Sequence, residues 1–177
     1  NIWVAEIKYT FLDRFGQRIS AINTLVNHDS AMINTYDEYV SVAAAPNGVI
    51  GMIWRRDLYD PAQGRNQNIW FVPLNQAGNV TRAPINLTNN TVWNSGGAGV
   101  PSFYDSRIAA TDDNRFVMAW VREHFDGAYT IADIYFTIRN ATGDAVLGIT
   151  QLTNSISGST LYVEPALATL DGNRVAI

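Results

Sequence analysis

Two short clusters of carboxylates could do acid–base work: Asp57 with Asp60, and Glu123 with Asp126. Two carboxyl groups held roughly 5–10 Å apart can cleave a glycosidic bond, one giving a proton while the other attacks or activates water. Yet the second cluster stands 66 residues after the first, at an equivalent place. A catalytic site is asymmetric, whereas a structural element repeats. The clusters therefore read as loop-closing groups, assisted by Arg56 and Arg122. Exposed pairs of that kind contribute about 0–1 kcal/mol each. Glu6 and Glu164 are unrepeated, and nothing in the sequence gathers them into a pocket. Of the two histidines, His124 occupies the place held by Leu58 one copy earlier, which marks a structural or surface position. His28 precedes Asp29, but a catalytic triad is recognised by geometry in space and not by adjacency. No nucleophile elbow, phosphate loop or metalloprotease motif occurs. On these grounds no catalytic residue is assigned, and the chain is expected not to be an enzyme.

Other residues suggest binding. Trp93 and Asn94 lie in an unrepeated loop rich in amides and glycine, where an exposed tryptophan would suit a sugar or protein contact. The competing reading folds Trp93 over a sheet edge as a cap. The turns Asp112-Asp113-Asn114 and Asp171-Gly172-Asn173 carry oxygens that calcium could use. Calcium takes roughly six to eight ligands. One turn offers too few, so calcium would need a neighbouring loop, and no other cofactor is expected. With no cysteine, a disulfide scaffold and a thiolate metal site are excluded. Sequons stand at Asn79, Asn86, Asn89 and Asn140. Glycosylation is expected to suit Asn79, Asn89 and Asn140, while Asn86 lies deep in a strand.

The elements that would position these residues follow from a long repeat. The segment 42–54, Val-Ala-Ala-Ala-Pro-Asn-Gly-Val-Ile-Gly-Met-Ile-Trp, lies on 108–120, Ile-Ala-Ala-Thr-Asp-Asp-Asn-Arg-Phe-Val-Met-Ala-Trp, with a constant offset of 66. A third copy starts at Leu167, offset by 59. A second landmark, Asn68-Ile69-Trp70-Phe71, matches Asp133-Ile134-Tyr135-Phe136 and Asn1-Ile2-Trp3-Val4. Turn residues separate short runs rich in β-branched and aromatic side chains, and no window keeps a helical period. The run 116–121 is apolar at every position, as a strand covered on both faces must be. Trp54 and Trp120 read as core. Trp3, Trp70 and Tyr135 read as packing between units.

Four antiparallel strands in each unit, repeated at this spacing, are the pattern of β-propeller blades. The expected fold class is all-β, with 1–35 the second half of one blade, 36–102 and 103–160 whole blades, and 161–177 the first half of another. These form one propeller domain, itself part of a larger propeller. A β-sandwich is the alternative. Both ends fall inside strand-like runs, so the chain is expected to be a piece of something longer.

Charged residues make up 16% of the chain, below the roughly 25% of ordinary soluble domains, which favours an extracellular β protein. The net charge is −4 and Arg55-Arg56 is the one adjacent basic pair, so nucleic-acid binding is set aside. No apolar run is long enough to span a membrane.

The residues Ile108-Ala109-Ala110 through Trp120, then Asp126-Gly127, Asp133-Ile134-Tyr135 and Asn140-Ala141-Thr142-Gly143, resemble a known repeat. It is the Ala-Leu-x-Asp-Gly-x-Phe-Val-Val-Ala-Trp repeat of large bacterial secreted and cell-surface proteins. The resemblance implies a propeller in an exported, often adhesive or structural, protein. The longer loops at 55–67 and 89–103 depart from the pattern, and a specific function would sit there. Thr169-Leu170-Asp171-Gly172-Asn173 resembles the Asp-box of sialidases only in part, and it reads as a hairpin turn. The expected function is a structural or interaction module of a secreted or cell-surface protein, binding a protein or glycan through its loops. Two alternatives stay open: a fragment of a propeller glycoside hydrolase, and a subunit of a surface assembly that joins neighbouring copies through blade edges.

Overall fold

A computed structural model describes the chain except for Asn1, Asn27 and residues 29–32, 95–98 and 157–160. Asp29, the partner of His28 in the sequence dipeptide, and part of the 89–103 loop therefore lie outside the described residues. Within the described residues the chain is all-β, with no helix.

Two antiparallel sheets carry the architecture. The first contains β4 (Asn34–Ala44), β5 (Ile50–Asp60), β6 (Gly64–Leu74) and the short β7 (Ile85–Asn86), side by side in that order. The second contains β8 (Ser102–Ala110), β9 (Arg115–Phe125), β10 (Thr130–Asn140) and β11 (Ala145–Gln151), again in chain order. Short hairpins explain this sequential pairing. At 45–49, 75–79, 111–115 and 140–144, the N–H of the first residue bonds to the carbonyl of the fifth, and the fourth N–H bonds back to the first carbonyl. The fourth residue is left-handed each time: Gly48, Gly78, Asn114 and Gly143. That is a type I turn followed by a left-handed residue, which matches the twist of the strands.

A second backbone feature recurs. Tyr39 in β4 and Asp105 in β8 have positive φ, at the points where each strand slips register against its neighbour. These bulges are 66 residues apart, and Glu164, another 59 on, also has positive φ. No glycine occupies any of the three places, so packing must hold the strained angle.

The sheets stack face to face. Odd-numbered residues of β5 and β6 look toward the second sheet, where Ile53, Ile69 and Phe71 meet Phe103, Phe116, Met118 and Trp120. A Cβ at Gly51 would fall 2.9 Å from Phe116 and Ile108, so glycine lets the sheets close here. The even-numbered residues look the other way. Trp54, Met52, Val72 and Leu74 pack against Ile7 and Leu25, which flank a thin layer formed by β2 (Lys8–Tyr9) and β3 (Asn23–Thr24), while β1 (Val4–Ala5) joins the first sheet. The run 116–121 is buried throughout, as its unbroken apolar sequence requires.

The N-terminal segment departs from the sequence expectation. Residues Asn1 to Val4 match the third strand of the later units, but β1 does not pair as they do. It adds in parallel to the free edge of β4, with Val4 opposite Thr35. Trp3 consequently projects past the sheet and is 65% exposed, where packing between units was expected. At the other end, β12 (Ala168–Leu170) and β13 (Arg174–Ala176) form a separate hairpin. The hairpins are stitched together: Asn114 Oδ1 accepts the Asn47 N–H at 2.8 Å, and Asn173 Oδ1 accepts the Asp113 N–H at 2.8 Å.

One buried polar cluster ties the thin layer to the first sheet. The Asp37 carboxylate is fully buried. Its Oδ1 accepts the Trp54 indole N–H at 2.9 Å and Arg56 Nε at 2.8 Å; its Oδ2 accepts Arg56 Nη2 at 3.0 Å and lies 2.7 Å from His28 Nε2. The Arg56 guanidinium lies over the Trp70 ring, 4.5 Å from its centre, and Trp70 stacks on Trp54.

Four variants test these bonds. Asp37→Leu is expected to cost about 3–5 kcal/mol, because Arg56 and the Trp54 indole stay buried without their acceptor. Adding Arg56→Leu should recover part of that loss, and urea unfolding of both proteins reads the difference. At Asn114, a change to Gly keeps the left-handed angle and should cost about 1 kcal/mol for the lost bond. Changing Asn114 to Ala should cost about 1–2 kcal/mol more, for the backbone; equal unfolding midpoints for the two would rule out a strained angle.

Candidate functional site

The β5–β6 hairpin turns at residues 61–63, with Asp60 opposite Gly64. Counting back from that turn places Tyr59 opposite Arg65 and Asp57 opposite Gln67, and β4 adds Tyr36 opposite Asp57. Residues paired in this way, and residues two apart, share a face of the sheet. Tyr36, Asp57, Tyr59, Arg65 and Gln67 therefore form one polar patch at the end of the first sheet, just beyond the apolar contact with the second.

Asp57 is the centre of the patch and is only 2% exposed. Arg65 grips it with two nitrogens, Nη2 on Oδ2 and Nε on Oδ1 at 3.3 Å. Gln67 Nε2 adds a bond to Oδ2 at 3.0 Å, and Gln67 Oε1 accepts the Phe103 N–H of the second sheet at 3.2 Å. The bond to Asp57 holds the Arg65 guanidinium above the usual arginine range, against the opposing effect of burial. The Arg65 side chain is nevertheless 56% exposed. Its open side, with Tyr36, Asp57 and Tyr59, lines a cleft of about 310 Å3. A smaller recess of about 60 Å3 adjoins it, lined by Arg65, Gln67, Asn94, Pro101 and Ser102.

The loop carrying Trp93 and Asn94 is strapped along β6. Arg65 and Asn94 exchange backbone hydrogen bonds of 3.0 and 2.6 Å, and Asn66 Nδ2 donates to the carbonyls of Asn90 and Val92 at 3.1 and 2.9 Å. Asn94 reaches the recess, whereas Trp93 is half-buried in the strap.

The remaining residues singled out in the sequence are scattered. Asp60 closes its turn by accepting the N–H groups of Ala62 and Gln63, and Asp126 does the same for Ala128 and Tyr129. Arg56 serves Asp37 and not the turn carboxylates. Glu123 accepts the Tyr104 hydroxyl at 2.7 Å; burial first, and this bond second, push the Tyr104 phenol above its usual range. His124 is half-buried, and its Nδ1 has no partner among the described residues. Glu6 pairs with exposed Lys8 and accepts the His28 N–H; the Lys8 bond is the main cause of its lowered pKa. Asp113 binds Thr111 and Arg115 across its own turn. Among the described residues, no three or more His, Cys, Asp or Glu side chains gather to hold a metal ion. Asn79 and Asn89 are exposed, while Asn140 uses its side-chain oxygen to cap the N–H groups of Thr142 and Asp144.

Sequence reasoning passed over Arg65, Gln67, Tyr36 and Tyr59. A signal was present: a three-residue hairpin loop fixes register, and register alone sets Asp57 and Tyr59 against Gln67 and Arg65.

No family model and no curated protein matches the sequence. Two solved structures are similar. One concerns the GH130 family of mannoside phosphorylases, which contains glycoside hydrolases that target β-1,2 mannosidic linkages in Candida mannan. It shares 15% identity, with a TM-score of 0.39, over 72% of this chain and 34% of that one. The other is a glycosyl hydrolase from Bacteroides ovatus, with 16% identity and a TM-score of 0.41, over 85% of this chain and 38% of that one. The chain thus spans a little over a third of the length of each. At these scores the likeness assigns no activity. Both are described as glycoside-active enzymes, which stands against the expectation that the chain is not an enzyme, and that expectation is not kept. The reason for that expectation was the repetition of carboxylates, and it fails on geometry: Asp57 sits with Arg65 and Gln67, whereas Glu123, at the equivalent place, sits with Tyr104.

Proposed function

We propose that the chain is part of a β-propeller in a secreted or cell-surface protein, and that it binds glycans in the cleft formed by Tyr36, Asp57, Tyr59 and Arg65. Three features favour propeller geometry. Each sheet runs in chain order, the sheets stack face to face, and the bulges and hairpins recur from one to the next. Tyr39 O also accepts the Ser106 hydroxyl at 3.2 Å, which links one bulge to the next.

The observation that carries the glycan reading is the state of Arg65. Its guanidinium is fixed in place by Asp57 and yet remains more than half exposed at the cleft. A saccharide presents hydroxyl groups in pairs, which a planar fork of N–H donors can engage together. The hydroxyl groups of Tyr36 and Tyr59 add polar tips, and their rings add apolar area for the faces of a sugar. A cleft of about 310 Å3 is of the size used for small ligands. Asp57, Tyr59 and Arg65 come from 55–67, which reads in the sequence as a loop but pairs as the end of the β5–β6 hairpin, with only 61–63 in the turn.

Titration of the 177-residue chain with a panel of neutral oligosaccharides, followed by calorimetry, tests the proposal. At least one should bind saturably. The paired change Arg65→Gln with Asp57→Asn avoids stranding a buried charge and should weaken that binding at least tenfold. Tyr59→Ala should also weaken it. The proposal fails if no saccharide binds, or if the preferred one binds the paired variant as well as the parent.

A further inference from the structure

The two tryptophan strands offer an internal comparison. Trp54 in β5 and Trp120 in β9 are each followed two residues later by an arginine on the same face, Arg56 and Arg122. Each arginine leans on an aromatic ring of the next strand. Arg56 stands 4.5 Å from the centre of Trp70, and Arg122 stands 5.7 Å from that of Tyr135. The register across the first strand of each sheet is also equivalent, with Asp37 opposite Arg56 and Phe103 opposite Arg122. The acid that pairs with Arg56 on the first strand is thus replaced by Phe103 at Arg122. Among the described residues no carboxylate forms an ion pair with Arg122, and its side-chain hydrogen bond is a long one, 3.4 Å to the Tyr135 hydroxyl.

Asp133 stands opposite Arg122 on β10, but its oxygens are engaged elsewhere. Oδ1 accepts the Thr153 hydroxyl at 2.9 Å, the Ser155 N–H at 2.7 Å and the Ser155 hydroxyl at 3.1 Å. Oδ2 accepts Gln151 Nε2 at 3.1 Å. A half-buried guanidinium is thus left facing aromatic and aliphatic groups. Beside it opens a hollow of about 200 Å3, lined by Thr88, Phe103, Trp120, Arg122, Tyr135 and Ile149.

We infer that this hollow binds the carboxylate of a single acidic sugar unit, a uronic acid, with Arg122 as its anchor. Asp133 balances the charge across the strand pair but makes no hydrogen bond to the Arg122 guanidinium, so most of the guanidinium N–H donors are left for an incoming carboxylate. Guanidinium and carboxylate also match as two parallel hydrogen bonds, the pairing that Asp37 already makes with Arg56. The hollow is smaller than the roughly 300 Å3 at which drug-sized pockets begin, which suits one sugar ring. The inference rests on Arg122 and its surroundings, and it stands independently of the cleft at Arg65.

Sodium glucuronate, glucose and sodium acetate are each titrated into the 177-residue chain, with binding followed by tryptophan fluorescence and NMR. Glucuronate should bind at least tenfold more tightly than either glucose or acetate. Arg122→Gln should abolish that preference while the protein stays folded by circular dichroism, since the hydrogen bonds that hold Asp133 come from Gln151, Thr153 and Ser155. Arg122→Lys should retain part of it, because charge survives but the two-pronged geometry does not. The inference is overturned if glucuronate binds no better than glucose, if acetate binds as well as glucuronate, or if Arg122→Gln leaves the preference intact. Loss of neutral-saccharide binding with the glucuronate preference preserved would count against the Arg65 cleft alone.

Discussion

A sheet buried on both faces must be apolar on both, and everything in this molecule is arranged around that demand. β5 supplies Ile53 to one core and Met52 and Trp54 to another, from adjacent positions in one strand. Full burial of a tryptophan and its neighbours at this density stabilises the fold by several kcal/mol per large side chain, as the roughly 3–5 kcal/mol cost of truncating such residues shows. The same demand leaves no room for water at the sheet centre. Polar groups that do enter must find partners there, and Asp37 does so four times over. Polar chemistry is consequently pushed to the strand ends, where Asp57, Arg65 and Arg122 stand.

The strand ends are also where the backbone is least regular. The bulges at Tyr39 and Asp105 change which face the following residues of β4 and β8 present. Before the bulge, Tyr36 faces the second sheet and Asp37 the thin N-terminal layer, which is how one strand serves a cleft on one side and a buried ion pair on the other. The hairpins hold this arrangement in place from the opposite end, through the asparagine bonds at Asn114 and Asn173. Rigid strands between two such fixed ends give the polar groups definite positions.

Much of this was legible in the sequence. Offsets of 66 and 59 marked the units, and the same offsets recur in the left-handed residues Gly48 and Asn114, and Tyr39, Asp105 and Glu164. The apolar run 116–121 announced a doubly covered strand. The N-terminal segment was not legible, because the match of Ile2-Trp3-Val4 to later strands reports side-chain pattern and not partner. β1 found the open edge of β4, and Trp3 was left in solvent. The site was not legible either. Arg65 and Gln67 have no motif; they matter only through register against Asp57 and Tyr59, and through a second sheet that the sequence cannot bring near.

Comparison of repeats was the strongest tool in the sequence, and its error is instructive. It treated equivalent positions as equivalent chemistry. Asp57 and Glu123 are equivalent in position, but different neighbours give one an arginine and a glutamine and the other a phenol. Arg56 and Arg122 are likewise equivalent, and the exchange of Asp37 for Phe103 leaves one in a two-pronged ion pair and the other without one. In a repeated fold the conserved packing can be supplied by every unit, while a charge needs its partner in only one of them. A unit that keeps the cation and loses that bonded partner retains the strand geometry and frees the donors of the guanidinium. Function in such a fold is therefore to be sought where two copies of the same position have ceased to share a partner.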